Sequence, residues 1–263
     1  MSGSSPGLRF ESEWRITLFT VVMVPLMIGL GFWQLQRGDE KAALAALFEA
    51  RQQQHPASIN ALWNLPDESL AYLRVQLSGS FLPDAYFLLD NQVRAGKVGY
   101  QVLGLLQLSD QTGSVLVNRG WIAGDADREA LPEVPDVTGR VEITGHVYVA
   151  PGAPYLLAEQ RLSTNWPKRI QAVEMDKIVP AMTGLAPGEV FPFPVRIDDD
   201  QPGALAVEWQ VVNSSPQKHQ AYAVQWFAMA AVLFVFYLLR SSNLRQLISG
   251  SGRGRRVNDR RKP

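Results

Sequence analysis

Three histidines and no cysteines limit the chemistry open to this chain of 263 residues. Without cysteine there is no disulfide, no thiolate metal site and no thiol nucleophile. His55 stands before Pro56 in a loop-like stretch. His146 falls on the polar side of an alternating run, with Glu142, Thr144 and Tyr148, and the alternation predicts a surface position. His219 is different, because it opens the uncharged run His219 to Leu239. On a helix His219, Tyr222, Ala223, Trp226 and Ala230 share one face. A second uncharged run, Ile16 to Gln36, closes with Leu26, Leu30, Trp33 and Arg37 at the same helical spacing. Antiparallel helices would bring both ends to one level, where an imidazole, a guanidinium, two indoles and a phenol gather. Gly29 and Gly31 would let the helices approach closely. A neutral imidazole ligates haem iron, a guanidinium pairs with a propionate, and indoles cover a macrocycle. The plainer reading is an aromatic belt with a snorkelling Arg37 and a His219 that only packs.

Other constellations carry less. No G-x-S-x-G, H-E-x-x-H or G-x-G-x-x-G occurs. Arg94 to Gly99 is a Gly-punctuated loop without the spacing of a phosphate loop. Asp198-Asp199-Asp200 suits a hard cation or, more simply, a solvated turn. Asp125, Asp127 and Arg128 form either an acid–base group or a local ion pair. None of these defines a reaction, so no catalytic residue is assigned and the chain is expected not to be an enzyme.

The elements that position His219 follow from hydropathy. Each uncharged run has 21 residues, and a helix needs about 20 to cross a bilayer core. A signal peptide is disfavoured, because Gln36-Arg37-Gly38-Asp39 follows the first run instead of a small-x-small site. The formal net charge is zero, which argues against a nucleic-acid partner. By region it is uneven. The tail Arg240 to Pro263 holds eight Lys+Arg and one acid, and residues 37–218 hold 15 Lys+Arg and 22 acids. The positive-inside rule then puts both termini in the cytoplasm and the domain outside, which in a bacterium is the periplasm. The expected layout is a cytoplasmic N-terminus over 1–15, transmembrane helices over 16–36 and 219–239, an outer domain over 37–218 and a basic tail over 240–263. A tail of 24 residues is too short for a sensor's output domain.

The outer domain shows a helical segment over Asp39 to Gln54, ended by His55-Pro56. Strand periodicity follows over Tyr72 to Phe81. Pro83-Asp84 predicts a turn and Tyr86 to Asn91 a short strand. Tyr100 to Leu108 with Ser114 to Ile122 predicts a hairpin, and Arg140 to Val149 another strand. Glu174 to Thr183 has helical spacing. Val190 to Ile197 and Ala204 to Val212 complete the strands, the former placed at an edge by Pro192 and Pro194. The fold class expected is a membrane protein with two transmembrane helices flanking one α+β domain rich in antiparallel sheet, with a barrel-like curl as one form of that sheet.

Four motifs give a resemblance. Gly31-Phe-Trp-Gln-Leu-Gln-Arg-Gly-Asp-Glu-Lys41 is the first. Leu88-Leu-Asp-Asn-Gln92 with Gly99-Tyr100 is the second, and Val115-Leu-Val-Asn-Arg-Gly-Trp121 the third. His219-Gln-Ala-Tyr-Ala-Val-Gln-Trp-Phe227 closes the set. In content and order they resemble the surfeit locus protein one family, the Shy-type assembly factors, over residues 14–240. Gly104 departs from the pattern, where the family more often has proline. The resemblance implies a non-catalytic factor in the biogenesis of haem-copper oxidases, chiefly cytochrome c oxidase. It implies that haem a is delivered to or inserted into the catalytic subunit, with His219 as iron ligand; the helical spacing sets Arg37, Trp33, Tyr222 and Trp226 around it. The partners implied are that subunit, haem a synthesis proteins and the lipid bilayer. Asn118, Arg119, Gly120 and Trp121 are expected either to anchor a partner or to form a structural turn with Trp121 in the core. Two other readings stay open: a scaffold that binds the oxidase without haem, and a haem-modifying oxidoreductase. The second is disfavoured because three histidines do not supply the usual paired ligand sets.

Overall fold

The computed structural model of the chain describes residues 13–110, 112–125, 130–150, 152, 154, 156, 158–185, 187–209 and 215–242. Asp127, Arg128 and the tail beyond Ser242 lie outside the described residues. The chain forms two compact units, Met1–Ala45 with Val212–Pro263, and Ala46–Val211.

Helix α1 (Trp14–Gln52) is 39 residues long, so the apolar run and the segment after it form one element rather than two. Nothing between them stops a helix. Gly38 is a weak breaker and is buried, so its missing side chain serves a contact. The helix ends as expected ahead of Pro56, which disfavours helical geometry at His55. Helix α5 (Pro216–Ser241) starts with proline in its first turn, where the missing N–H costs nothing. At 1.5 Å per residue the two helices are roughly 58 and 39 Å long. Both are long and apolar enough to cross a membrane, and 11% of the most apolar window of each is buried.

The sheet unit is built around one long hairpin. Between α1 and this hairpin lie β1 (Ala57–Ser58), α2 (Ile59–Leu62) and α3 (Asp67–Leu70). β2 (Arg74–Arg94) and β3 (Lys97–Leu108) are antiparallel and turn through Ala95-Gly96, both at positive φ. The stretch Arg94 to Gly99 is therefore a two-residue hairpin turn. The turn expected at Pro83-Asp84 is a bulge inside β2, where the register shifts between Phe81 and Tyr86 and Asp84 takes φ 58°. β4 (Gly113–Ala123) pairs with β3, as the hairpin pattern predicts. β5 (Val141–Val147), β6 (Lys168–Ile170), α4 (Met175–Met182), β7 (Glu189–Val190) and β8 (Val195–Ile197) follow. Hydrogen-bonded neighbours run β2-β3-β4-β8-β5, and β5 pairs again with β2. β8 is thus an interior strand. Pro192 and Pro194 do not put it at an edge, because they fall in the break between β7 and β8. The strand expected over Ala204 to Val212 is reduced, among its described residues, to a single bridge between Trp121 and Ala206.

β3 and β4 are buried on both faces. One face joins Leu106, Leu108, Val115 and Val117 to a cluster with Val75, Leu77 and Ile143. The other packs Leu103, Leu105 and Leu116 under Ile178 and Met182 of α4. Gly104 keeps its place in the ladder, opposite Tyr86 and Val117, so the strand is continuous there.

The surface position expected for His146 is overturned, since it is 2% exposed. The ring of Phe48, from the last turns of α1, lies 5.3 Å from its centroid, with Tyr72 and Trp209 also around it. The period-two pattern marks the face correctly, but that face has its own cover. Burial, then Arg196 and Arg74, push the ring pKa down to about 3.

Candidate functional site

The helix unit brings α1 and α5 together as an antiparallel pair. At one end Glu13 meets Arg240 at 3.1 Å, and the Thr17 hydroxyl meets that of Tyr237 at 3.2 Å. At the other end Gly31 lies under the ring of Phe227, and Gly38 lies against His219 and the Pro216 carbonyl. A Cβ on Gly31 would sit 2.5 Å from the Phe227 ring, so glycine sets the approach there. Gly29 faces open space and plays no part. Among the residues of α1 that meet α5 are Thr17, Gly31, Phe32, Gln34 and Gly38, and Thr20 is buried.

His219 sits inside this contact. Its Nδ1 is 2.8 Å from the Oε1 of Gln34. A carboxamide oxygen only accepts, so Nδ1 carries the proton and donates. In the neutral ring that leaves Nε2 as the nitrogen with a free lone pair. Nε2 is buried and has no hydrogen-bond partner. This is the tautomer of a histidine poised as a metal ligand through Nε2, with its other nitrogen held by a polar neighbour. The donor chemistry therefore fits haem iron. Sequence spacing missed Gln34, although Gly31, Gln34 and Gly38 recur at i, i+3 and i+7, the signal that would have found it.

The other predicted groups are placed differently. Ala223 and Ala230 are buried and Trp226 is partly buried, in line with the stripe expected on α5. Tyr222 is 53% exposed and Trp33 is 50% exposed. Arg37 is exposed, stacks over Trp33 at 6.0 Å and pairs with Glu40 at 2.7 Å. Leu26, Trp33 and Arg37 therefore lie off the face that meets α5, and the structure does not bring Arg37, Trp33 and Tyr222 onto the His219 contact.

In the sheet unit Asn118, Arg119, Gly120 and Trp121 close β4. Asn118 donates to Gln101 at 2.8 Å and accepts from the Gly120 N–H. Arg119 is buried and donates to the carbonyls of Gly203 and Pro135, both at 2.8 Å, with its guanidinium 5.4 Å from the Phe81 ring. Burial lowers its pKa, and Asp136 and Tyr86 act in the opposite direction. Gly120 has φ 105°, a conformation that side chains disfavour, and it lets the chain reach the Ala206 carbonyl. Trp121 is partly buried, and its indole donates to the Gln92 carbonyl at 2.8 Å. Asp198 binds Arg74 and Thr144, and no cluster of three metal-ligating side chains occurs among the described residues.

The architecture defines a class of protein: a sheet-rich domain between two apolar helices, with a histidine held where those helices meet. The model of the SURF1 family matches residues 21–231. The chain belongs to the SURF1 family, as its four motifs predict. A SURF1-like protein of Monosiga brevicollis is 25% identical over 239 residues, covering 84% of this chain and 85% of the relative. One of Drosophila melanogaster is 24% identical over 242 residues, covering 83% and 75%. A SURF1-like protein of Dictyostelium discoideum is 35% identical over 106 residues, 37% of this chain and 39% of the relative.

Proposed function

We propose that the chain is a biogenesis factor for a haem-copper terminal oxidase, chiefly cytochrome c oxidase, and that it catalyses no reaction itself. It spans a bacterial inner membrane twice, with both termini cytoplasmic and the sheet domain periplasmic. Family membership supports the assembly role. The two helices and the eight Lys+Arg of residues 240–263 support the topology. Its partners are the oxidase catalytic subunit and the proteins that make haem a.

The observation that carries a haem role is the orphaned Nε2 of His219, buried beside a proton-bearing Nδ1 held by Gln34. Haem a, if bound, would supply an iron centre that takes a nitrogen ligand. His219 would provide the nitrogen ligand and Gln34 would fix the tautomer. Arg37 and Trp33 belong to an outer surface of α1 and would meet polar groups at the membrane boundary.

A second reading, a scaffold that binds the oxidase subunit without haem, is favoured by the outward placement of Arg37, Trp33 and Tyr222. One experiment separates the two. The chain is co-expressed with haem a synthesis, purified, and its visible spectrum recorded for wild type and His219→Ala. Haem a in the wild type, lost in the variant, is the expected result. Equal haem in both refutes the ligand assignment, and no haem in either leaves the scaffold. A deletion strain with full oxidase activity would overturn the assembly role itself.

A further inference from the structure

A cavity of about 400 Å³ lies on one face of the sheet unit. Its floor is a row across three strands. Leu103 on β3 stands opposite Asn118 on β4, and Asn118 stands opposite Arg196 on β8. Residues in register on neighbouring strands share a face, and all three line the cavity. Carboxamides surround this floor. Asn118 donates to the Gln101 oxygen, which leaves the Gln101 amide N–H groups for another acceptor, and Gln171 stands at the exposed rim. Leu89, Val173 and Pro194 supply apolar walls.

Charge singles out Arg196. Among the described residues that line the cavity it is the one charged group, and none is a carboxylate. No ion pair among the described residues includes it. Asp198, two residues further along β8, is taken up by Arg74 and the Thr144 hydroxyl. Burial lowers the Arg196 pKa, and the groups that act in the opposite direction are the phenols of Tyr148 and Tyr72. The guanidinium stacks on Tyr148 at 3.6 Å and on Trp209 at 5.0 Å. Stacking occupies its flat faces and leaves the N–H groups at its edge for in-plane acceptors. A cation taken out of water without a counter-ion is costly, so this one points to a carboxylate supplied from outside the chain.

We propose that the cavity binds an acidic peptide, an extended segment of another protein whose Asp or Glu carboxylate meets Arg196. The peptide groups on either side of that residue bond to the carboxamides of Gln101 and Gln171. A carboxamide donates and accepts as a peptide group does, so these side chains suit a backbone. The site shares no residue with the contact around His219 and stands or falls independently of haem.

The test uses the full chain in uncharged detergent micelles, with empty micelles as the blank. The ligand is a capped glycyl-aspartyl-glycine tripeptide, and binding is read from the broadening of its proton resonances as protein is added. The expected result is saturable binding, weakened about tenfold or more for the asparaginyl tripeptide and in Arg196→Gln, and weakened several-fold in Gln171→Ala. No binding of the aspartyl tripeptide overturns the proposal. So does equal binding of the asparaginyl tripeptide, which would mean that the guanidinium takes no part. Acetate that competes as strongly as the aspartyl tripeptide would mark a simple anion site and overturns the peptide reading. Affinity unchanged in Arg196→Gln or in Gln171→Ala places the binding elsewhere and overturns it too. If Arg196→Gln does not fold, Gln171→Ala at the exposed rim and the aspartyl–asparaginyl comparison on the wild type decide.

Discussion

Lowering the pH should unfold this protein through His146, and the loss can be worked out. The ring is 2% exposed and lies among Phe48, Tyr72 and Trp209, with Arg74 and Arg196 on either side and Asp198 bound to Arg74. Its pKa falls from 6.5 to about 3. Between those values the unfolded chain binds a proton at this residue and the native chain does not. The stability it contributes is therefore fully present above pH 6.5 and is lost as pH falls towards 3. Each proton taken up only on unfolding costs about 1.4 kcal/mol per pH unit. From pH 7 to pH 5 the loss is about 2 kcal/mol, after allowing for partial protonation near 6.5. For a domain with a total stability of order 10 kcal/mol that is a large fraction. The assay is urea unfolding followed by tryptophan fluorescence at pH 7, 6 and 5, comparing wild type with His146→Gln in carboxylate-free buffers. Contributions common to the two proteins cancel in the comparison. The gap between the two proteins should change by about 2 kcal/mol over this range. Parallel pH profiles would refute the reasoning, because they would mean that His146 is already solvated or paired in the native state.

Three other outcomes test the geometry. The chain contains no cysteine, so Gly38→Cys with His219→Cys gives an unambiguous cross-link. A Cβ on Gly38 lies 3.4 Å from the His219 Cβ, close to the usual disulfide spacing of about 3.5–4.5 Å. Oxidation should join the two helices, read as a faster-migrating band after cleavage-free denaturing electrophoresis, and adding Gly31→Ile should suppress it by pushing Phe227 away. Gly120→Ala should destabilise the sheet unit by about 1–3 kcal/mol in urea unfolding, since φ is 105° and the new Cβ would stand 2.9 Å from the Ala206 carbonyl oxygen. Gly29→Ala, in a helix facing open space, should do no harm.

How much of the fold was legible depended on whether a pattern had one cause. The apolar runs, the β3–β4 hairpin and α4 each follow from periodicity or a turn signal, and each appears where the sequence places it. Pro83-Asp84 has two physical outcomes, a turn or a bulge, and local sequence does not choose. The long-range pairing of β2 with β3 on both sides of the irregularity makes it a bulge. Pro192 and Pro194 mislead in the same way. Proline excludes itself from a ladder, but the three residues after it, Val195 to Ile197, still enter the sheet between β4 and β5.

The site was legible in its residue type and not in its phase. On α5 the stripe through His219, Ala223 and Ala230 is set by one run of small and apolar residues, so its face could be read. On α1 large side chains mark the stripe through Leu26, Trp33 and Arg37, and size was taken for contact. In a pair of close helices the opposite holds. Lipid solvates large apolar side chains as well as a neighbouring helix does, and what a neighbour requires is room. Gly31 and Gly38 provide it, and the one polar residue between them, Gln34, meets His219. The same logic separates the two buried histidines. His146 lies in a strand whose alternation predicts exposure, and its cover comes from Phe48, nearly a hundred residues away in sequence. His219 lies at a helix contact whose glycines are visible in the sequence. Only the second environment was within reach of local pattern, because the cover of the first is set by long-range pairing and by a helix distant in sequence.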